Sequence, residues 1–184
     1  MQRILTAFFL SALLIFTACG ESREDKLAKI KDLEARLLSD STKAKDEVAA
    51  YNLQVAYTDF QESFPDDELA PEYLFKAANL GINMGWGEPS IKILEKFIDL
   101  FPNHQRAPEA LFYEAYVYDN IENNDVKAGE IYRDFLVKYP NHAFAPSADA
   151  SIKALGKSDE DLIKEFEQMN SKADSISKDT SVAS

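Results

Sequence analysis

Three stretches decide how this chain folds: FPDDELAPE at residues 64–72, FPNHQRAPE at 101–109 and YPNHAFAPS at 139–147. In each, an aromatic residue precedes a proline, and a second proline follows six residues after the first. The stretches recur at intervals of 37 and 38 residues, so the chain is an internal repeat before it is anything else. Upstream, Tyr57, Leu94 and Tyr132 share a column, as do Phe60, Phe97 and Phe135, and then Phe64, Phe101 and Tyr139. Separations of three and four residues place these columns on one face of a helix. The first proline cannot continue that helix; the second stands in the first turn of the next, where its missing N–H had no partner anyway. Each unit is therefore a helical hairpin that cannot cover its apolar face alone and must stack on its neighbours.

Reading outward, the pattern predicts helices over 23–39, 43–63, 71–84, 88–101, 108–122, 125–138, 146–155 and 158–170. Gly85-Trp86-Gly87 and Asn123-Asn124 supply the turns inside the central hairpins. Gly156 suits a helix C-terminus, and Ser158 with Asp161 resembles a capping box. Leu27, Ile30, Leu33 and Leu37 lie at helical spacing, open to reading as a short coiled-coil arm. One or two heptads do not sustain such an arm, which favours a leading hairpin helix packed on the stack. From Asn170 the chain is rich in Ser, Lys and Asp and too poor in apolar residues to order itself, so 170–184 is expected to be a disordered tail.

These columns resemble tetratricopeptide repeats. Ala78 and Ala115 match the small residue where paired helices approach, Ser90 and Ala128 the second small position, Leu94 and Tyr132 the large apolar one, and Pro102 and Pro140 the closing proline. The period is longer than the usual repeat of about 34 residues. Together with the YPN-type loop, it resembles the variant found in outer-membrane assembly lipoproteins and TolA-binding periplasmic proteins. The resemblance implies an all-α, right-handed solenoid of about four helical hairpins over 23–169. It also implies a concave groove lined by the first helices of the central hairpins, presenting Glu72, Asn79, Asn83, Glu109, Tyr116, Asp119 and Asn120. Such a surface suits an extended peptide or a helix carrying basic residues, with Tyr116 as an anchor.

At the N-terminus, Arg3 precedes a mostly apolar run from Ile4 to Phe16 and then Thr17-Ala18-Cys19-Gly20, the layout of a signal peptide over 1–18. The run is short for a span, which needs about 20 residues. Phe16-Thr17-Ala18-Cys19 resembles the lipobox of bacterial lipoproteins, which implies a diacylated Cys19 at the head of a tether over 19–22. Each buried lipid CH₂ contributes about 0.8 kcal/mol, and more than one acyl chain makes the anchor stable. Gly20, standing where an aspartate would signal inner-membrane retention, implies the outer membrane. The acidic cluster Glu21-Ser22-Arg23-Glu24-Asp25 loosely resembles tags that send lipoproteins to the cell surface, and a charged solvated tether would look the same.

Among the 184 residues, 32 acidic against 20 basic side chains give a formal net charge of −12, and removing 1–18 takes away one further cation, Arg3. A surface of that sign repels phosphate backbones, so nucleic acid is not an expected partner. The single cysteine excludes an internal disulfide, a CxxC redox pair and a thiolate zinc cage. His104 and His142 occupy the same place in successive loops, which repeat register explains. No GxSxG, P-loop, HExxH or glycine-rich dinucleotide fingerprint occurs, so neither an enzyme nor a cofactor is expected. The sequence thus points to a lipid-anchored scaffold that faces the periplasm and binds envelope proteins through its groove. The rival is a surface-exposed lipoprotein that captures glycans or peptides for uptake.

Overall fold

The computed structural model describes residues 21–39 and 46–158, together with 160, 161, 163, 164, 167 and 168. The expected signal peptide, Cys19 and the 170–184 tail lie outside the described residues. The helices are α1 (Arg23–Ser39), α2 (Glu47–Ser63), α3 (Ala70–Asn83), α4 (Gly87–Leu100), α5 (Ala107–Asn120), α6 (Asp125–Lys138) and α7 (Ala145–Ala154). Residues 160, 161, 163, 164, 167 and 168 are helical as well, within the stretch where the eighth helix is expected. All the substantial helix–helix contacts join neighbours in the chain, α1 to α2 and onward to α7, as a stack of hairpins requires. The fold is all-α and solenoid-like, and no described helix is long and apolar enough to cross a membrane.

The repeated loops are built identically. At the end of α2, α4 and α6 the N–H of Phe64, Phe101 or Tyr139 bonds the carbonyl of Phe60, Phe97 or Phe135, at 2.8–2.9 Å. Next the N–H of Asp67, His104 or His142 reaches back to that closing aromatic residue's carbonyl, and the N–H of Ala70, Ala107 or Ala145 to the carbonyl of Asp67, His104 or His142. The side chain of this central residue accepts from the N–H two residues on. Asp67 Oδ1 takes Leu69, and Nδ1 of His104 and His142 takes Arg106 and Phe144. Each imidazole also stands edge-on to the buried ring of its repeat, 5.6 Å from Phe97 and 5.7 Å from Phe135. The two histidines are loop caps, doing what an aspartate does in the first loop.

Three apolar clusters run along the stack, each spanning three consecutive helices. Ile30, Leu53, Tyr57 and Phe60 fill the first, Leu74, Leu94, Phe97 and Val117 the second, and Phe112, Tyr132, Phe135 and Ala148 the third. Phe60, Phe97 and Phe135 are fully buried, one to each cluster. Leu27, Leu33 and Leu37 pack against the first cluster, so α1 is the leading hairpin helix rather than a free arm.

Two boundaries differ from expectation by more than one residue. Residues 40–45 are outside the description, but Asp46 is not helical: its Oδ1 accepts from Ala49 N–H at 3.0 Å, and α2 starts at Glu47 rather than 43. An aspartate at this place satisfies an otherwise unpaired donor of the first turn. Helix α5 stops at Asn120 rather than 122, because Glu122 N–H turns back to Val117 and Asn123 takes a positive φ of 52°. Of the residues read as tether, Ser22 belongs to the helix start: its hydroxyl and Asp25 exchange hydrogen bonds, and Glu21 accepts from Lys26.

Candidate partner-binding groove

The seven residues expected in the groove belong to two helices in matched register: Glu72, Asn79 and Asn83 on α3 stand 37 positions before Glu109, Tyr116 and Asn120 on α5. The structure divides them into three sets. Asn79 and Asn83 line a cleft of about 280 Å³ between α1, α2 and α3, with Glu34, Leu37, Leu53, Tyr57, Lys76 and Leu80. Asn83 also lines a second cleft of about 310 Å³, with Tyr116, Asn120, Glu47, Ile82 and Met84. Asn83 thus stands between the two clefts, one reaching α1 and the other the end of α5. Tyr116 is 38% exposed, so its ring belongs to the surface and not to the core.

Glu72 and Glu109 are otherwise engaged. Both bond the Arg106 guanidinium at 3.1 Å, and that guanidinium lies 4.8 Å over the Phe75 ring. Burial lowers the affinity of Arg106 for its proton, but the two carboxylates outweigh it and raise the pKa. This cation clamps α5 to α3 and leaves both acids partly covered. Asp119 points elsewhere again. It receives the Tyr132 hydroxyl at 3.4 Å, and burial raises its pKa against that hydrogen bond. Tyr132, fully buried, is itself pushed up to about 12, chiefly by burial.

The polar end of the first cleft is a network the sequence does not reveal, since it joins residues 23 and 42 positions apart. Glu34 accepts from the Tyr57 hydroxyl at 2.7 Å and from Lys76 at 2.8 Å, while the Lys76 ammonium lies 5.7 Å and 5.4 Å from the Tyr57 and Tyr73 ring centres. Burial works to raise the Glu34 pKa, yet the hydrogen bonds from Lys76 and Tyr57 prevail and lower it. Burial first, then the same bond, raises that of Tyr57. Leu37 and Leu53 make the rest of this cleft apolar. Helical spacing marked Leu37 as a packed position, but nothing marked Leu53 or the gap beside them.

As chemistry, the two clefts offer apolar walls, three carboxamides and an exposed phenol ring. That is equipment for binding a chain by shape and hydrogen bonds. Among the described residues no group of three or more His, Cys, Asp or Glu is arranged to hold a metal ion. Residues 109–142, which cover α5, α6 and the loop to His142, match the tetratricopeptide repeat family. No curated protein matches the chain. The chain thus contains a tetratricopeptide repeat, a unit that binds protein partners, and the hairpin before it repeats the same columns.

Proposed function

We propose that this protein is a lipid-anchored scaffold of the bacterial cell envelope that holds a protein partner along the two clefts lined by Asn79, Asn83, Tyr116 and Asn120. The observation that carries the reading is the pair of clefts that share Asn83, with the Tyr116 ring exposed beside it. Tyrosine is among the residues enriched where protein–protein contacts carry most of their binding energy. The anchor itself rests on Phe16-Thr17-Ala18-Cys19 and the apolar run before it, and Gly20 supports an outer-membrane address. The periplasmic orientation is favoured by the use made of the acidic cluster, since Ser22, Asp25 and Glu21 are occupied in starting α1. A partner within an outer-membrane assembly complex fits this placement.

Two experiments test the parts separately. Mass spectrometry of the mature protein should find a diacylglyceryl group on Cys19, lost in Cys19→Ser; an unmodified cysteine overturns the anchor, and cleavage by protease added to intact cells overturns the periplasmic orientation. For the groove, partner recovery from detergent-solubilised envelopes should fall at least tenfold with Tyr116→Ala, about 1.4 kcal/mol or more. It should change little with Asp119→Asn, whose carboxyl is turned toward Tyr132. A folded Tyr116→Ala protein that recovers its partner in full moves the binding surface off these clefts.

A further inference from the structure

Glu114 occupies a position its repeat does not explain. In the hairpins on either side the same register holds Ala77, fully buried, and Ile152, which packs on the third cluster. Here a glutamate only 8% exposed stands in that otherwise apolar column, facing both α4 and α6. Among the described residues no side chain hydrogen-bonds it. The charged groups around it are Glu95 on α4 and Lys127, Asp134 and Lys138 on α6, with Tyr118 one turn on along α5. The two ammonium groups are taken by carboxylates of their own helix, Lys138 by Asp134 at 2.8 Å and Lys127 by Glu130 at 3.5 Å. An ionised Glu114 would therefore be a largely buried anion, its oxygens only at the margin of solvent, with two anionic neighbours and no cation of its own, an arrangement that disfavours the charged form.

We propose that Glu114 is a proton-dependent latch: protonated, it serves as neutral filler in the seam that joins α5 to α4 and α6, and on losing its proton it loosens that seam. Its pKa agrees with this, being pushed from the ordinary 4.5 up to about 7, by burial first and then by Glu95. The sign follows from linkage. The folded chain holds this proton more tightly than the unfolded one, so the stabilisation is complete below about 4.5 and is lost as pH rises to about 7. The carboxylates whose pKa values are lowered, Asp25, Glu34, Asp67 and Glu88, act oppositely and in more acidic solution. Asp119 slopes the same way as Glu114, so a variant is needed to isolate the latch.

The test is a carbon-13 titration of the glutamate carboxyls in the full chain, with thermal melts at about pH 5 and about pH 8. The Glu114 signal should titrate near neutrality. The wild type should melt lower at the higher pH, and Glu114→Gln should raise the melting temperature there and not at the lower pH. Amide protection factors across the α5–α6 hairpin should fall with rising pH more than those of α2 and α3. A Glu114 carboxyl that titrates in the ordinary glutamate range overturns the proposal, as does a glutamine variant that keeps the full difference between the two melts. A uniform loss of protection along the stack does the same. If the variant fails to fold, the wild-type titration and protection pattern decide the matter alone.

Discussion

Hairpins α3–α4 and α5–α6 share their columns but not their turns. Phe97 and Phe135 are equally buried, Ala78 and Ala115 equally so, and Ser90 stands where Ala128 does. The first hairpin closes through Gly85, at a φ of 74°, with Trp86 N–H bonded back to Gly81. The second closes through Asn123, at a φ of 52°, with Asn124 N–H bonded back to Tyr118, and the Asn124 side chain then caps α6 through Lys127 N–H. A residue inside the stack must fit neighbours on both sides, so its choices are repeated. A turn answers only to its own backbone, and either glycine or asparagine meets the demand for a left-handed residue. The close approach within the hairpins differs as well. Gly81 faces Ser90 and Gln54, whereas its counterpart in the second hairpin is Tyr118.

The sharpest way to break the likeness is at the buried rings. Phe97→Ala and Phe135→Ala should each cost about 3 to 5 kcal/mol, read as a fall in thermal or urea midpoint, and by similar amounts. Two costs that differ widely would show that equal columns do not mean equal seams. Next comes the close approach: a methyl group at Gly81 runs into the Ser90 hydroxyl and the Gln54 amide, so Gly81→Ala should cost about 1 to 3 kcal/mol. Ser90→Ala in the same chain should recover part of that loss; no recovery would place the strain on Gln54. The turns give the smallest effects and of opposite sign. At Gly85 a Cβ meets nothing within 4 Å, so Gly85→Ala measures backbone strain alone, about 1 to 2 kcal/mol. Asn123→Gly should be neutral or slightly stabilising by the same measurement.

The stack was legible because its information is repeated: a proline, an aromatic residue and two small positions in step determine helix ends, facing and order, and the three clusters occupy the seams those columns predict. The groove was legible only in part. Register placed Asn79, Asn83, Tyr116 and Asn120 in matched positions of α3 and α5, and they line two neighbouring clefts that share Asn83. The same register could not say that Arg106, from the loop before α5, would gather Glu72 and Glu109, or that Asp119 would turn to a hydroxyl on α6. The Arg106–Glu72 contact joins two units across 34 residues and the Asp119–Tyr132 contact joins the two helices of one hairpin across 13, with no sequence pattern linking either pair. Glu114 was hidden for a related reason: in a chain with 32 acidic residues, one more glutamate on a helix reads as solvated surface until its burial is seen.

The packing of each helix chiefly on its chain neighbours also makes the molecule a mechanical series. A load applied between α1 and α7 passes through every seam in turn, since among the described residues no substantial contact joins those two helices directly. Extension therefore proceeds by detaching one hairpin while the others keep their helices, in steps of roughly one repeat, and contacts this local re-form quickly once the load is removed.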